Sequence, residues 1–161
     1  MKTIIIIIIT SLLISTQCHA SVRGDILKGI NSDHVSKFFN SIWNDAEAVS
    51  KEFDLPQGLL MAMAALESGY GRSRLAKENN NYLGIKYNGV YAEFSSRLEC
   101  FKAWAKVLNQ TCYKELEFKT LNGWLYQLEH CHYHLSKTYS NKIRWIYYKY
   151  DLDKLETWKK N

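Results

Sequence analysis

Proline is almost missing from this chain: of 161 residues only Pro56 is one. Beyond residue 20 there is also no internal repeat, no low-complexity tract and no Pro- or Gly-rich linker, so one domain is expected at this length. The four cysteines form no CxxC pair, and no Cys/His spacing matches a structural zinc site. The segment His130–His134, HCHYH, is rich in ligand types. On a helix, however, His130 and His134 would share a face that His132 does not, so no metal is expected there. Basic residues outnumber acidic ones, 21 to 16, but they form no block. A modest positive charge favours an anionic surface such as a cell wall, a membrane or nucleic acid, and nucleic acid is the poor fit for so spread a charge on a chain that is expected to be exported. No apolar run reaches the ~20 residues that a membrane-spanning helix needs.

The longest apolar run explains itself. Met1-Lys2 is a positive start, Thr3–Ile14 is almost wholly apolar with six consecutive isoleucines, and the stretch closes on Cys18-His19-Ala20. This is the pattern of a secretory signal cut after Ala20. Bulky Gln17 before Cys18 argues against a lipoprotein signal. Export to the periplasm, or to the cell wall and extracellular space, is therefore expected, as residues 1–20 leave. Only Lys2 among the charged groups goes with them, leaving 20 basic and 16 acidic residues, or +4. The remaining cysteines are Cys100, Cys112 and Cys131. In an oxidising compartment one bridge can form. On one helix Cys100 and Cys112 would stand too far apart, twelve steps of about 1.5 Å, so Cys112–Cys131 is the expected pair.

Residues 21–34 are polar and mixed and read as a flexible lead-in, with the folded domain over 35–161. In the next stretch Val35, Phe38, Phe39, Ile42, Ala46 and Val49 recur at helical spacing, predicting an amphipathic helix that ends before Asp54. A second helix is expected with Asp54 as its cap and Pro56 in its first turn. From Leu59 to Leu66 every residue of it is apolar, which marks a central, buried helix. Gly69 and Gly71 end it, and Ser73 caps a short helix through RLAKEN. Asn88-Gly89 between apolar and aromatic residues predicts a hairpin. Three more helical stretches follow. Leu98–Asn109 has Leu98, Phe101, Ala105 and Leu108 on one face. Another starts after Asn122-Gly123. The last has Ile143, Ile146, Tyr147 and Tyr150 on one side.

One residue fits this pattern badly. Glu67 sits in the last turn of the core helix, where apolar neighbours and the negative end of the helix dipole both disfavour a charged carboxylate. A structural glutamate gains nothing there, whereas a general acid that must keep its proton does.

The stretch ALESGYGRSRLA (Ala65–Ala76), followed by NNYLGIK (Asn80–Lys86), resembles the bacterial endo-β-N-acetylglucosaminidases of glycoside hydrolase family 73, which include flagellar rod-cap hydrolase domains and many autolysins. Glu67, Ser68, Gly69, Gly71 and Ser73 match the family's A-x-x-E-S-G-x-G-x-S. Asn81, Gly84, Ile85 and Lys86 match its N-x-F-G-I-K, with Leu83 in place of Phe. Glu99 stands at the family's structural Glu. Tyr133 and Tyr139 stand at its two C-terminal tyrosines, with Leu135-Ser136 where Thr-Asp is usual. The stretch between Lys86 and Phe94 is shorter than in many relatives. The resemblance implies a mainly α, lysozyme-like domain with one small β-hairpin. It further implies a monomeric hydrolase of peptidoglycan glycan strands that needs no metal or organic cofactor. Glu67 would be the general acid and Glu93, on the hairpin's second arm, the candidate second carboxylate; a 2-acetamido sugar could instead assist with its own acetamido oxygen. Asn81, Tyr133 and Tyr139 would bind substrate. A lysozyme or lytic transglycosylase of the same general fold, and a catalytically inactive wall-binding domain, are the competing readings.

Overall fold

The computed structural model describes residues 21–108, 120–131 and 137–156. The expected signal, Cys112 and Tyr133 lie outside the described residues. Helices α1 (21–29), α2 (Asp33–Phe53), α3 (Gln57–Ser68) and α4 (Arg74–Asn79) precede a two-stranded antiparallel hairpin, β1 (Lys86–Tyr87) and β2 (Val90–Tyr91). Helices α5 (Arg97–Leu108), α6 (Leu121–His130) and α7 (Lys137–Lys149) follow, then a 3-10 turn at Leu152–Leu155. Among the described residues no helix is long and apolar enough to cross a membrane.

Helix α3 is the axis. Every residue from Gln57 to Ala65 is buried, as its unbroken apolar run requires, and α2, α7 and the 3-10 turn pack around it. The predicted face of α2 is the buried one, with Trp43 added. On α5 the buried set is Cys100, Phe101, Trp104, Ala105 and Leu108, while Leu98 is only half-buried. Arg97 joins α5 to α2: its guanidinium meets Asp45 Oδ2 at 2.6 Å and donates to the Ser41 carbonyl.

Three expectations need correction. Residues 21–29, expected to be a flexible lead-in, form a helix. Ile26 and Ile30 are buried, and Arg23 donates to the side chains of Asn40 and Asn44 while lying over the Trp43 ring. Helix α6 starts ahead of Asn122-Gly123 rather than after it, because the Thr120 hydroxyl accepts from the Gly123 N–H and starts the helix at Leu121. Asp54 does not cap α3. It is the left-handed C-cap of α2, with φ 52°.

The cap of α3 comes instead from the far end of the chain. Glu156 Oε1 accepts the Gly58 N–H at 2.8 Å, across 98 residues of sequence. Gly58 permits this approach. A Cβ there would lie 2.5 Å from the Leu152 carbonyl and 2.8 Å from Glu156 Oε1. Burial pushes the Glu156 carboxyl up from 4.5 to about 7, against the downward pull of the Gly58 and Leu59 amides and the Tyr147 hydroxyl. The folded state thus holds this proton more tightly than the unfolded chain. The stabilisation that proton brings is full below pH 4.5 and is lost as pH rises to about 7. At about 1.4 kcal/mol per unit, that loss is at most about 3 kcal/mol. Glu156→Gln keeps a cap acceptor and has no proton to lose, so its melting temperature should vary less than wild type's between pH 4.5 and 7. Parallel melting curves for the two proteins across that window would exclude this role for Glu156.

Cys131 is disulfide-bonded and Cys100 is a buried free thiol. Burial raises the Cys100 thiol to about 11, which makes it an inert packing group.

Candidate active site

The end of α3 is knotted by its own backbone. Gly69, Tyr70 and Gly71 all have positive φ, at 56°, 56° and 75°. The Tyr70 N–H returns to the Ala65 carbonyl at 2.8 Å, and the Ser73 N–H returns to Ser68 at 2.8 Å. Fully buried Ser68 donates to the Ala64 carbonyl and accepts from the Gly71 N–H, so one hydroxyl ties the helix to the turn. Gly71 is favoured by its φ of +75°, and a Cβ there would also crowd Phe38 at 3.1 Å. Ser73 then caps α4 by accepting from the Ala76 N–H. The serines and glycines of the E-S-G-x-G-x-S stretch thus each have a structural task, and Glu67 is the member left pointing outward.

Glu67 is exposed, not enclosed in the apolar helix end that its neighbours in sequence suggest. Residues 57–65 face the core on every side, but α3 emerges from the core at Leu66, which is half-buried. The carboxylate leans over Gly84: a Cβ built there would lie 3.3 Å from Glu67 Oε2. Gly84 also has φ +64°, so backbone and space both favour glycine. The two motifs singled out in the sequence therefore meet face to face, one bringing the acid and the other a bare backbone opposite it.

The loop that carries Gly84 is held by three successive asparagines. The Asn79 carbonyl accepts from the Phe94 N–H. Asn80 is the left-handed C-cap of α4, and its side chain donates to the Phe94 carbonyl. Asn81, 1 % exposed, donates to the carbonyls of Ile85 and Ala92 and accepts from the Ile85 N–H, all within 2.9 Å. It closes the base of the hairpin whose tip, Asn88-Gly89, has the paired positive φ values of a type I′ turn. The Asn81 amide, which the family pattern sets against substrate, is buried here and hydrogen-bonded to the hairpin. Glu93 is exposed on the segment leaving β2, between buried Ala92 and half-buried Phe94. Tyr139 is 6 % exposed and lies in the core with Ile143. Glu99 is exposed in the first turn of α5, its N–H donating to Ser96 Oγ.

Sequence reasoning did not single out the cavity beside this turn. Leu66 and Gly69, on either side of Glu67, line it together with Ala65, Tyr70 and the α7 residues Thr138, Asn141, Lys142, Trp145 and Ile146; its volume is about 430 Å³. Tyr70 packs edge-on against Phe38, Phe39 and Tyr150. Burial first, and the hydroxyl contact with Tyr150 second, raise its phenol above the ordinary value, so it is neutral. The only sequence signal for this wall is the spacing 138, 141, 142, 145 on α7, a face that reads as solvated. Among the described residues no cluster of His, Cys, Asp and Glu could hold a metal ion.

Known proteins share this fold. The chain is similar to the catalytic domain of the autolysin Auto from Listeria monocytogenes, with 26 % identity and a TM-score of 0.68, covering 85 % of this chain and 97 % of that one. An N-acetylmuramoyl-L-alanine amidase from Staphylococcus aureus matches at 25 % identity and TM-score 0.64, over 82 % of this chain and 49 % of that one. The glycoside hydrolase domain of Salmonella typhimurium FlgJ shares the fold, with 21 % identity and TM-score 0.62 over 73 % of this chain and 88 % of that one. A search of curated proteins finds no match. Residues 43–152 match the glucosaminidase family, described as mannosyl-glycoprotein endo-β-N-acetylglucosaminidase. That match covers more than half of the sequence and includes every motif of the site, so the chain belongs to the glucosaminidase family of glycoside hydrolases.

Proposed function

We propose that this protein is a peptidoglycan hydrolase that cleaves the β-1,4 bond after N-acetylglucosamine, with Glu67 as general acid. The observation that carries the reading is the placement of Glu67: a carboxyl at the open end of the core helix, facing the bare backbone of Gly84 and flanked by an apolar cavity. The likeness to an autolysin catalytic domain supports wall glycan as the substrate class. Glu67 protonates the leaving glycosidic oxygen as the bond breaks. A sugar ring lying over Gly84 covers the exposed carboxyl and removes water from it, supplying the enclosure that the free chain lacks.

The second group is Glu93 or the substrate's own acetamido oxygen. Glu93 would activate water or act as nucleophile from the hairpin arm. In this reading Asn81 is a positioning residue that holds the Gly84 loop, Tyr139 supports α7 from within the core, and Tyr133 retains the substrate role that the family pattern gives it. The protein works as a monomer, outside the cytoplasm, after its signal is removed. Protein recovered from the periplasm or medium should begin at Ser21; an intact Met1 or an acylated Cys18 would overturn the export reading.

Mass spectrometry of products from purified peptidoglycan tests the function. Reducing N-acetylglucosamine ends are expected. Reducing N-acetylmuramic acid would make the enzyme a lysozyme, and anhydro-muramic acid a lytic transglycosylase. Binding to wall without soluble products would make it a wall-binding domain.

A further inference from the structure

Trp145 is an exposed tryptophan on the wall of the cavity beside Glu67. Its ring is held in place. Lys149, one turn further along α7, sets its ammonium 4.1 Å from the ring centroid, and Tyr150 meets the ring edge-on at 6.4 Å. Lys149 is not part of the cavity wall. With that cation over one face, the residue is still 56 % exposed. A cation on one side and an aromatic edge beside it favour one ring orientation before any ligand arrives, which lowers the ordering cost of binding. Around the ring the cavity is largely apolar, from Leu66, Gly69 and Ile146, with Thr138, Asn141 and Lys142 as its polar groups. A few polar groups on an apolar wall are the usual make-up of a pocket for a small ring.

We infer that Trp145 is the stacking platform of a glycan subsite, taking the apolar face of one N-acetylated pyranose of the strand that Glu67 cleaves. Asn141, whose Oδ1 already accepts from Arg144 at 3.2 Å, keeps its amide N–H groups for the ring's hydroxyl and acetamido oxygens. Lys142 offers a cation to the lactyl carboxylate that muramic acid exposes where the strand carries no stem peptide, a group that glucosamine lacks. The occupant is therefore a sugar unit of the strand, and on peptide-free glycan the preferred unit is the acidic one. This inference deepens the reading of Glu67 as the acid at the same site and rests on it for the identity of the ligand.

The test is calorimetric binding in the Glu67→Gln background, which prevents turnover, with wall activity of the Glu67 protein measured alongside. The probes are a peptide-free tetrasaccharide of alternating N-acetylglucosamine and N-acetylmuramic acid, the corresponding chitotetraose, and the isolated stem peptide. Adding Trp145→Ala should weaken tetrasaccharide binding at least about tenfold, the scale of one lost aromatic contact, while Trp145→Phe keeps part of it. Lys142→Gln should narrow the preference for the tetrasaccharide over chitotetraose. Tyr126→Ala removes another exposed aromatic, one stacked on His130 away from the cavity, and should change nothing. Unchanged tetrasaccharide affinity in a folded Trp145→Ala protein overturns the inference. So does Trp145-dependent binding of the stem peptide without the glycan. If the Glu67 protein cleaves no wall while glycan binding still depends on Trp145, the hydrolase reading falls and the platform stands.

Discussion

Glu67→Gln is expected to melt within a degree or two of wild type and to lose at least about a hundredfold in wall-clearing rate, the low end for removing a general acid. Both halves follow from the position. Stability should hold because the Glu67 side chain is exposed and the turn around it is held by Ser68, Gly69 and the returning amides of Tyr70 and Ser73. A small gain is consistent with the same geometry, since a carboxylate at a helix C-terminus opposes the dipole. Activity should fall because glutamine matches the shape but has no transferable carboxyl proton. Turbidity loss of purified peptidoglycan beside thermal melts separates the two effects. Glu93→Gln, measured in the same assays, divides the remaining mechanisms. A comparable loss makes Glu93 the second carboxylate, and near-wild-type clearing assigns that task to the substrate's acetamido group. Wall clearing by Glu67→Gln at the wild-type rate would remove Glu67 from the chemistry, and inactivity through unfolding would make it structural.

Patterns that depend on near neighbours were legible in the sequence. The unbroken apolar run named α3 as the core helix, because a helix with no polar side has nowhere to lie but inside. Asn88-Gly89 named the hairpin, because few residues accept two successive positive φ values. Ser73 named the start of α4 by a cap that spans three residues. What escaped was set by distance along the chain. Asp54 looked like the cap of α3, but the acceptor at Gly58 comes from Glu156, and no local pattern can register a partner 98 residues away. Helix α1 escaped because only Val22, Ile26, Leu27 and Ile30 mark its buried side within a polar segment. The exposure of Glu67 escaped because a sequence does not show where a buried helix leaves its core. Trp145 escaped for a related reason: its neighbours across the cavity, Leu66 and Gly69, belong to a helix end some 80 positions earlier.

Asn81 tests whether the loop opposite Glu67 must be held for the acid to work. Its amide makes three hydrogen bonds from a nearly sealed position, to both backbone groups of Ile85 and to the Ala92 carbonyl. Asn81→Ala removes all three and strands the Ile85 N–H, although the Ile85 carbonyl keeps its bond from the Ala92 N–H. The expected cost is about 2–4 kcal/mol, from lost bonds plus the desolvation of an unpaired amide and carbonyl. The loss should be felt first in the hairpin, since β1 and β2 pair over only two residues each and cannot hold register alone. Gly84 would then no longer stay against Glu67, and activity should fall by at least about tenfold with the acid itself intact. Amide hydrogen exchange shows where the loss acts. Faster exchange at Ile85 and Ala92, with α3 still protected, places the defect in the loop; uniform acceleration would mean global destabilisation. Asn81→Asp retains the acceptor for the Ile85 N–H but loses both donated bonds and sets a carboxylate against two carbonyl oxygens, so it should be no better than alanine. Were Asn81 a direct sugar ligand instead, Asn81→Ala would raise KM while exchange at Ile85 and Ala92 stayed at the wild-type rate.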